Sequence, residues 1–107
     1  GFRTPGDMKG IASLKKADGS LLVFAAANSG QLKTFNCILP RQAFYDAGDT
    51  NEYAIISLKN GKKMKQEFYW GNAYLSSSGR YAWYDDLNTT MIEFYDAHGK
   101  RTKTIKK

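Results

Sequence analysis

The sequence has few of the residues that form disulfides and metal sites, with one cysteine and one histidine among 107 residues. A lone cysteine excludes an intrachain disulfide, and we expect Cys37, in an apolar stretch, to be a buried structural thiol. His98 falls in a predicted turn without a second histidine, so we expect a solvated turn residue and neither a metal nor a cofactor. No apolar run reaches the roughly 18 residues of a spanning helix, so no membrane span is predicted.

The sequence also lacks the residue patterns of known catalytic sites. The serines at 76–78 have no Gly-x-Ser-x-Gly context, and no second histidine is present to act as a base. Paired carboxylates such as Asp85 and Asp86 occur in most chains of this kind and do not by themselves indicate glycoside hydrolysis. The interpretation from the residues is a protein that is not an enzyme.

Aromatic residues and turn sequences, by contrast, are abundant. There are 7 Tyr, 6 Phe and 2 Trp, residue types that favour strands. Hairpins are predicted at Asp18-Gly19, at Asn60-Gly61, which fits a type I′ turn, and at His98-Gly99. No 3.6-residue apolar period persists for three turns. We therefore predict an all-β fold, an antiparallel sandwich or barrel-like module of about eight strands built from hairpins.

The apolar pattern divides this single all-β domain into three segments. Residues 8–36 form hairpins, and 21–24 are apolar on both faces, as in a central or doubly covered strand. Residues 37–51, with Pro40, are predicted to be a connection between two substructures. Residues 52–107 end in a lysine-rich strand that suits a sheet edge. The predicted core faces of that last segment carry Ala54, Ile56, Leu58, Met64, Gln66, Phe68, Trp70, Ile92, Phe94 and Ile105.

Net charge leaves a nucleic-acid hypothesis open. The charge of +6 can attract nucleic acid, but it also suits a β protein with lysines on its edges. Tyr81 and Trp83 share one face of a predicted strand, and bases could stack on them beside the lysines of 62–65. Lys63 and Lys65 are predicted on the strand face opposite Met64, Phe68 and Trp70, so these charges and the large aromatic residues are not predicted to share a surface. Nucleic acid is therefore the alternative partner.

Three segments resemble a known family. They are the hairpin at 56–63, the sequence Gly71-Asn72-Ala73-Tyr74-Leu75-Ser76-Ser77-Ser78, and the sequence Ile92-Glu93-Phe94-Tyr95-Asp96-Ala97-His98-Gly99. In this order they resemble the ASPIC/UnbV module, which closes many secreted proteins built from FG-GAP or VCBS-type propeller repeats. Residues 8–36 resemble the last propeller repeat before that module. The family's glutamine is Ser77 here, and its Trp-Pro pair is Asp96-Ala97.

The resemblance implies a non-catalytic accessory module that serves binding or adhesion in a larger extracellular or cell-envelope protein. Its expected partners are its own upstream propeller and a glycan or cell-surface protein. The candidate binding residues are Tyr74, Ser76, Ser78, Tyr81 and Trp83. For 74–78 the alternative is structural, with the aromatic and leucine side chains packed and the serines satisfying a turn. Residues 1–6 lack the apolar segment of a signal peptide and are interpreted as a cut end.

One expectation concerns the apolar strand at 21–24. A propeller blade typically has four strands, and residues 8–36 supply about three. Removal of the propeller would then leave apolar surface that seldom stays bare on a soluble protein. We expect the segment from Glu52 onward to cover it, rather than a second chain.

Overall fold

The computed structural model describes residues 5–38, 41–71 and 79–107, and within these ranges it has nine strands and no helix. The strands are β1 Met8–Lys15, β2 Leu21–Ala27, β3 Lys33–Cys37, β4 Gln42–Asp46, β5 Tyr53–Leu58, β6 Lys63–Glu67, β7 Tyr81–Asp85, β8 Thr89–Tyr95 and β9 Arg101–Lys106. All of their pairings are antiparallel, so the predicted all-β class is confirmed. The described strands form three sheets, and these do not close into a barrel. The described residues contain no helix long and apolar enough to cross a membrane.

The chain divides into two compact units, Gly1–Pro40 and Arg41–Lys107. The division falls inside the segment 37–51 that was expected to be a connection. That segment also contains β4, which the sequence analysis did not predict. Pro40 before the strand and Gly48 after it suggested a loop, but five residues between them pair with β7.

The N-terminal unit is a three-stranded meander in the order β1-β2-β3. As predicted, β2 is the central strand, and Leu22 pairs with Leu14 on one side and Asn36 on the other. Residues 21–24 are half-buried, and Ala25 is buried. Cys37, at the end of an edge strand, is half-buried instead of buried as expected.

The C-terminal unit is built from two sheets, β6-β5-β8-β9 and β4-β7. Inward side chains of both sheets share one core, in which the Tyr45 and Phe94 rings lie 5.4 Å apart. The alternation predicted for β5 and β8 is confirmed, since Ile56, Ile92 and Phe94 are fully buried. The core comprises Ala47, Ala54, Ile56, Phe68, Ala82, Ile92 and Phe94, with Tyr45, Leu58, Tyr84 and Ile105 packed against it. The last strand, β9, lies at a sheet edge as predicted.

Two residues of the predicted core are exposed. Met64 is 49% and Trp70 is 55% exposed, although Phe68 between them is buried. Met64 lies on β6, an edge strand that is covered less than a central one. The strand ends at Glu67, so the alternation of faces does not extend to Trp70.

The three predicted hairpins are confirmed, but the type I′ turn at Asn60-Gly61 is wrong. A type I′ turn requires positive φ at both central residues, and in this turn only Gly61 has it, at 80°. The Gly61 N–H donates to the Leu58 carbonyl and the Leu58 N–H to the Lys62 carbonyl. This is a three-residue loop with a type I turn followed by a left-handed glycine. The turns ending in Gly19 and Gly99 have the same hydrogen bonds.

Candidate functional site

Two of the predicted binding residues, Tyr81 and Trp83, lie on β7 on the face opposite the core. Ala82, between them, is fully buried in the core, so its neighbours point outward. Both aromatic side chains are half-buried. The other candidates, Tyr74, Ser76 and Ser78, lie outside the described residues.

Phe44 joins these two residues in an aromatic cluster. It is the direct partner of Trp83 in the β4–β7 ladder, and the two ring centroids are 4.0 Å apart at 63°. The Tyr81 ring lies 6.4 Å from Phe44 at 80°. We call Phe44, Tyr81 and Trp83 the outer aromatic cluster. Phe44 was not predicted from the sequence, because it lies in the segment 37–51 that was expected to be a connection rather than a strand.

The outer aromatic cluster is held from two directions. The Gln66 side chain on β6 donates to the Tyr81 carbonyl and accepts from the Trp83 N–H, each at 3.0 Å. This amide acts as a strand partner for β7 and fixes the backbone that carries both rings. In addition, the Tyr81 ring lies against Gly79, where a Cβ would meet ring carbon Cε2 at 2.3 Å. The glycine therefore leaves the space that the ring fills.

Arg80, the residue before β7, anchors a neighbouring loop. Its side chain is 4% exposed. Nη1 donates to the carbonyls of Gly48 at 3.0 Å and Asp49 at 2.9 Å, and Nη2 donates to the Asn51 carbonyl. The carboxylate of Glu52 lies 3.5 Å from the same guanidinium. The buried charge is thus satisfied mainly by backbone carbonyls, and it fixes the shape of residues 48–51.

The outward face of the four-stranded sheet carries aromatic and basic residues together, contrary to the expectation from sequence. The Tyr53 and Tyr95 rings stack at 4.9 Å with an angle of 4° between them. The Lys65 ammonium lies 4.5 Å from the Tyr53 centroid and 2.8 Å from the Glu67 carboxylate. The hydrogen bond between Lys65 and Glu67 raises the pKa of the lysine and lowers that of the glutamate. The Tyr53 ring and the Lys65 and Glu67 charges are therefore already engaged within the protein.

A groove of about 390 Å³ opens at one end of the C-terminal unit. Its lining combines apolar side chains with a carboxylate and amides; the lining residues are Ile56, Leu58, Lys59, Asn60, Met64, Asp85 and Asn88. The Asp85 carboxylate accepts from the Asn88 side chain at 2.6 Å and from the Leu87 N–H at 2.9 Å. The bond from Asn88 lowers the pKa of Asp85. Both carboxylate oxygens thus serve to hold their own turn.

The described residues offer no assembled metal site, since no three His, Cys, Asp or Glu side chains in those ranges are grouped around a common point. His98 is exposed in the β8–β9 turn, as predicted, and its N–H donates to the Asp96 carboxylate. What the geometry provides is therefore a set of positioned aromatic surfaces.

Comparisons with known proteins do not assign a family. No protein family, no curated protein and no solved structure matches this chain. The resemblance to the ASPIC/UnbV module and to propeller repeats accordingly remains a prediction.

Proposed function

We propose that this chain is a non-catalytic glycan-binding module of a larger secreted or cell-surface protein. The observation that carries the proposal is the outer aromatic cluster of Phe44, Tyr81 and Trp83. Sugar rings have apolar faces that pack on aromatic side chains, while their hydroxyls require hydrogen-bonding groups nearby. Binding sites of this kind combine an aromatic surface with a few placed polar groups.

Polar side chains share the face of the cluster. Direct partners in an antiparallel ladder point to the same side of a sheet. Gln42 pairs with Asp85 beyond Trp83, and Asp46 pairs with Tyr81 at the other end. Gln42 and Asp46 are exposed and flank the rings. One Asp46 carboxylate oxygen accepts from the Gly48 N–H at 2.8 Å, so the Gln42 amide and the second Asp46 oxygen can bond with sugar hydroxyls.

The cluster is also rigid before any ligand binds. The Phe44–Trp83 contact, the two Gln66 hydrogen bonds and the close packing of Tyr81 on Gly79 each restrict a ring. Rings that are already ordered lose little conformational entropy on binding, which favours affinity on a small surface.

The N-terminal unit supports the proposed context of a larger protein. Three antiparallel strands in meander order are what part of a propeller blade would form. Its edge strand, β1, exposes Ile11 at 66% and Leu14 at 58%. Apolar side chains at an open edge suit docking to the protein's own upstream propeller.

Single-stranded nucleic acid has less support. The surface suited to it is the outward face of the four-stranded sheet, with Tyr53, Tyr95 and Lys65. One face of Tyr53 is covered by Tyr95, and Lys65, also stacked on Tyr53, is paired with Glu67. Arg101 is likewise paired with Glu93, at 2.7 Å. A base would have to displace these contacts before it could stack.

A glycan array and oligonucleotide titrations distinguish the two ligands. We expect glycan binding that Trp83→Ala weakens by about tenfold or more, as loss of a stacking residue should. Tyr95→Leu removes an aromatic side chain from the four-stranded sheet instead. It is the control and should leave glycan affinity unchanged. Circular dichroism establishes that both variants fold.

The opposite results would contradict the proposal. Oligonucleotide binding that falls steeply with salt and is lost in Tyr95→Leu would favour the nucleic-acid alternative. Absence of any glycan binding, or turnover of a bound glycan by the isolated chain, would refute a non-catalytic glycan module.

A further inference from the structure

Trp70 is a large aromatic side chain that the fold positions without burying. It follows the end of β6 and is 55% exposed. The Arg80 guanidinium carbon lies 4.3 Å from the centroid of its ring, so one face of the indole rests on that cation. More than half of the side chain remains open to solvent.

The support beneath the indole is itself fixed. Arg80 is held by the carbonyls of Gly48, Asp49 and Asn51. The guanidinium also attracts the negative face of the indole ring. Because the guanidinium cannot move without breaking these bonds, the indole is oriented in the free protein.

We propose that Trp70 is a second stacking position for a neutral sugar ring, which binds on its exposed surface. This inference rests on the proposed glycan-binding function and extends it to a part of the molecule outside the outer aromatic cluster. The cation stacked on the indole opposes a positively charged ligand there, since an aromatic face attracts cations through its negative quadrupole.

A carboxylate beside Arg80 opposes anions as well. Glu52 lies 3.5 Å from Arg80 and its side chain is 43% exposed. The guanidinium donates to the Gly48 and Asp49 carbonyls and its side chain is 4% exposed, so little of its positive charge faces the solvent. Sugar hydroxyls can donate to the Glu52 carboxylate, whereas phosphate or sulfate groups would be repelled by it. A neutral glycan therefore fits this position better than a nucleotide or an acidic polysaccharide.

The two tryptophans of the chain allow each position to be observed separately. Trp70 and Trp83 are the sole tryptophans in the sequence. Trp83→Phe leaves Trp70 as the fluorescent reporter, and Trp70→Phe leaves Trp83. Each variant is titrated with cellohexaose, laminarihexaose and N-acetylchitohexaose, and with oligo-dT as an anionic probe.

We expect a neutral hexasaccharide to shift the emission of Trp70 in the Trp83→Phe protein. Trp70→Ala should weaken the affinity of the wild-type chain about tenfold or more. Tyr69→Ala is the matched control, since Tyr69 is a similarly exposed neighbour at 61%, and it should leave the affinity unchanged. Raising NaCl from about 0.05 to 0.5 M should change the affinity less than about twofold, because no counterions are released by a neutral ligand.

Three outcomes would overturn the inference. If Trp83 responds and Trp70 does not, and Trp70→Ala binds normally, the Trp70 position is wrong while the proposed function stands. If Trp70 responds to oligo-dT alone, with steep salt dependence, the neutral ligand class is wrong. If none of the hexasaccharides binds and neither tryptophan responds, both the inference and the proposed function fail.

Discussion

Replacement of Arg80 by alanine tests whether the buried guanidinium organises the loop at 48–51. The change removes hydrogen bonds to three backbone carbonyls and the cation beneath Trp70. It changes none of the β7 residues that pair with β4. The expected effect is therefore a loss of loop anchoring in an otherwise intact unit.

The magnitude follows from the three bonds and from the exposure of their acceptors. A hydrogen bond to a charged group contributes about 1.5–3 kcal/mol to stability. Loss of all three bonds, with no water to replace them at the carbonyls, would therefore lower the free energy of unfolding by more than about 4 kcal/mol. Gly48 and Asp49 are exposed residues, however, and their carbonyls can bond to water in the variant. Removal of the charge also ends its desolvation cost. We expect the free energy of unfolding to fall by about 2–3 kcal/mol.

Urea unfolding followed by tryptophan fluorescence measures this change in the relevant unit. Both tryptophans lie within Arg41–Lys107, so the signal reports the C-terminal unit even if the N-terminal unit unfolds separately. With an m value of about 1 kcal/mol/M, the midpoint should fall by about 2–3 M. Lys65→Ala, which breaks an exposed ion pair, is the control and should shift the urea midpoint much less than Arg80→Ala does.

Arg80→Lys separates charge from geometry, since an ammonium is a point charge without the planar fork of the guanidinium. We expect it to recover less than half of the loss. An Arg80→Ala protein within about 0.5 kcal/mol of wild type would refute the assigned anchoring role, because it would place the effect within the range of an ordinary surface substitution.

Three further substitutions test the turns and the outer aromatic cluster. Gly61→Val should destabilise the C-terminal unit by about 1–3 kcal/mol, because a β-branched residue is strained at the Gly61 φ of 80°. Gly61→Asn should destabilise it less, since asparagine tolerates positive φ better. Equal urea midpoints for the two variants would contradict this. Gly79→Ala should displace the Tyr81 ring, because the added Cβ would lie 2.3 Å from it, with a cost of about 1–3 kcal/mol; unchanged Tyr81 ring shifts in NMR spectra would refute the packing. Ser20→Ala should raise the pKa of Asp18, which the Ser20 hydroxyl and N–H hold at about 2 against a usual 3.8. The pKa of Asp18 is lower in the folded than in the unfolded protein. Its ionised carboxylate therefore stabilises the folded state above pH 3.8, and this stabilisation is lost as the pH falls to about 2. A carboxyl titration by NMR that gives the same midpoint for wild type and Ser20→Ala, or different midpoints for wild type and Ser20→Thr, would count against this account.

The fold of the C-terminal unit was predicted where alternation places apolar residues on the core side of a strand. Ile56, Ile92 and Phe94 are fully buried because alternation in β5 and β8 places them on the core side. The strand β4 was not predicted, because Pro40 and Gly48 on either side of it are loop signals. The five residues between them have no apolar alternation clear enough to outweigh those signals. Its strand conformation depends on pairing with β7, a contact about forty residues distant in the sequence.

The candidate site was predicted only in part, for a similar reason. Local alternation placed Tyr81 and Trp83 together, but their contact with Phe44 requires the β4–β7 register. The exposure of Trp70 depends on where β6 ends and on the Arg80 side chain that supports the indole. Neither feature is encoded by residues adjacent to Trp70. The alternating pattern alone therefore predicted a strand that continues to Trp70 and an indole that is buried.

The composition of β7 gives an independent argument for binding at the outer aromatic cluster. A strand of a two-layer sandwich needs one apolar face, and β7 supplies it with Ala82 and Tyr84. Its outward face nevertheless carries Tyr81 and Trp83, which contribute nothing to that core. Outward positions of a strand are ordinarily polar where they meet water, and these two rings are only half-buried, so part of their apolar surface stays in contact with water. Packing in the described core therefore does not account for Tyr81 and Trp83, and a glycan that packs on the part of their surface that stays exposed is the function proposed for them.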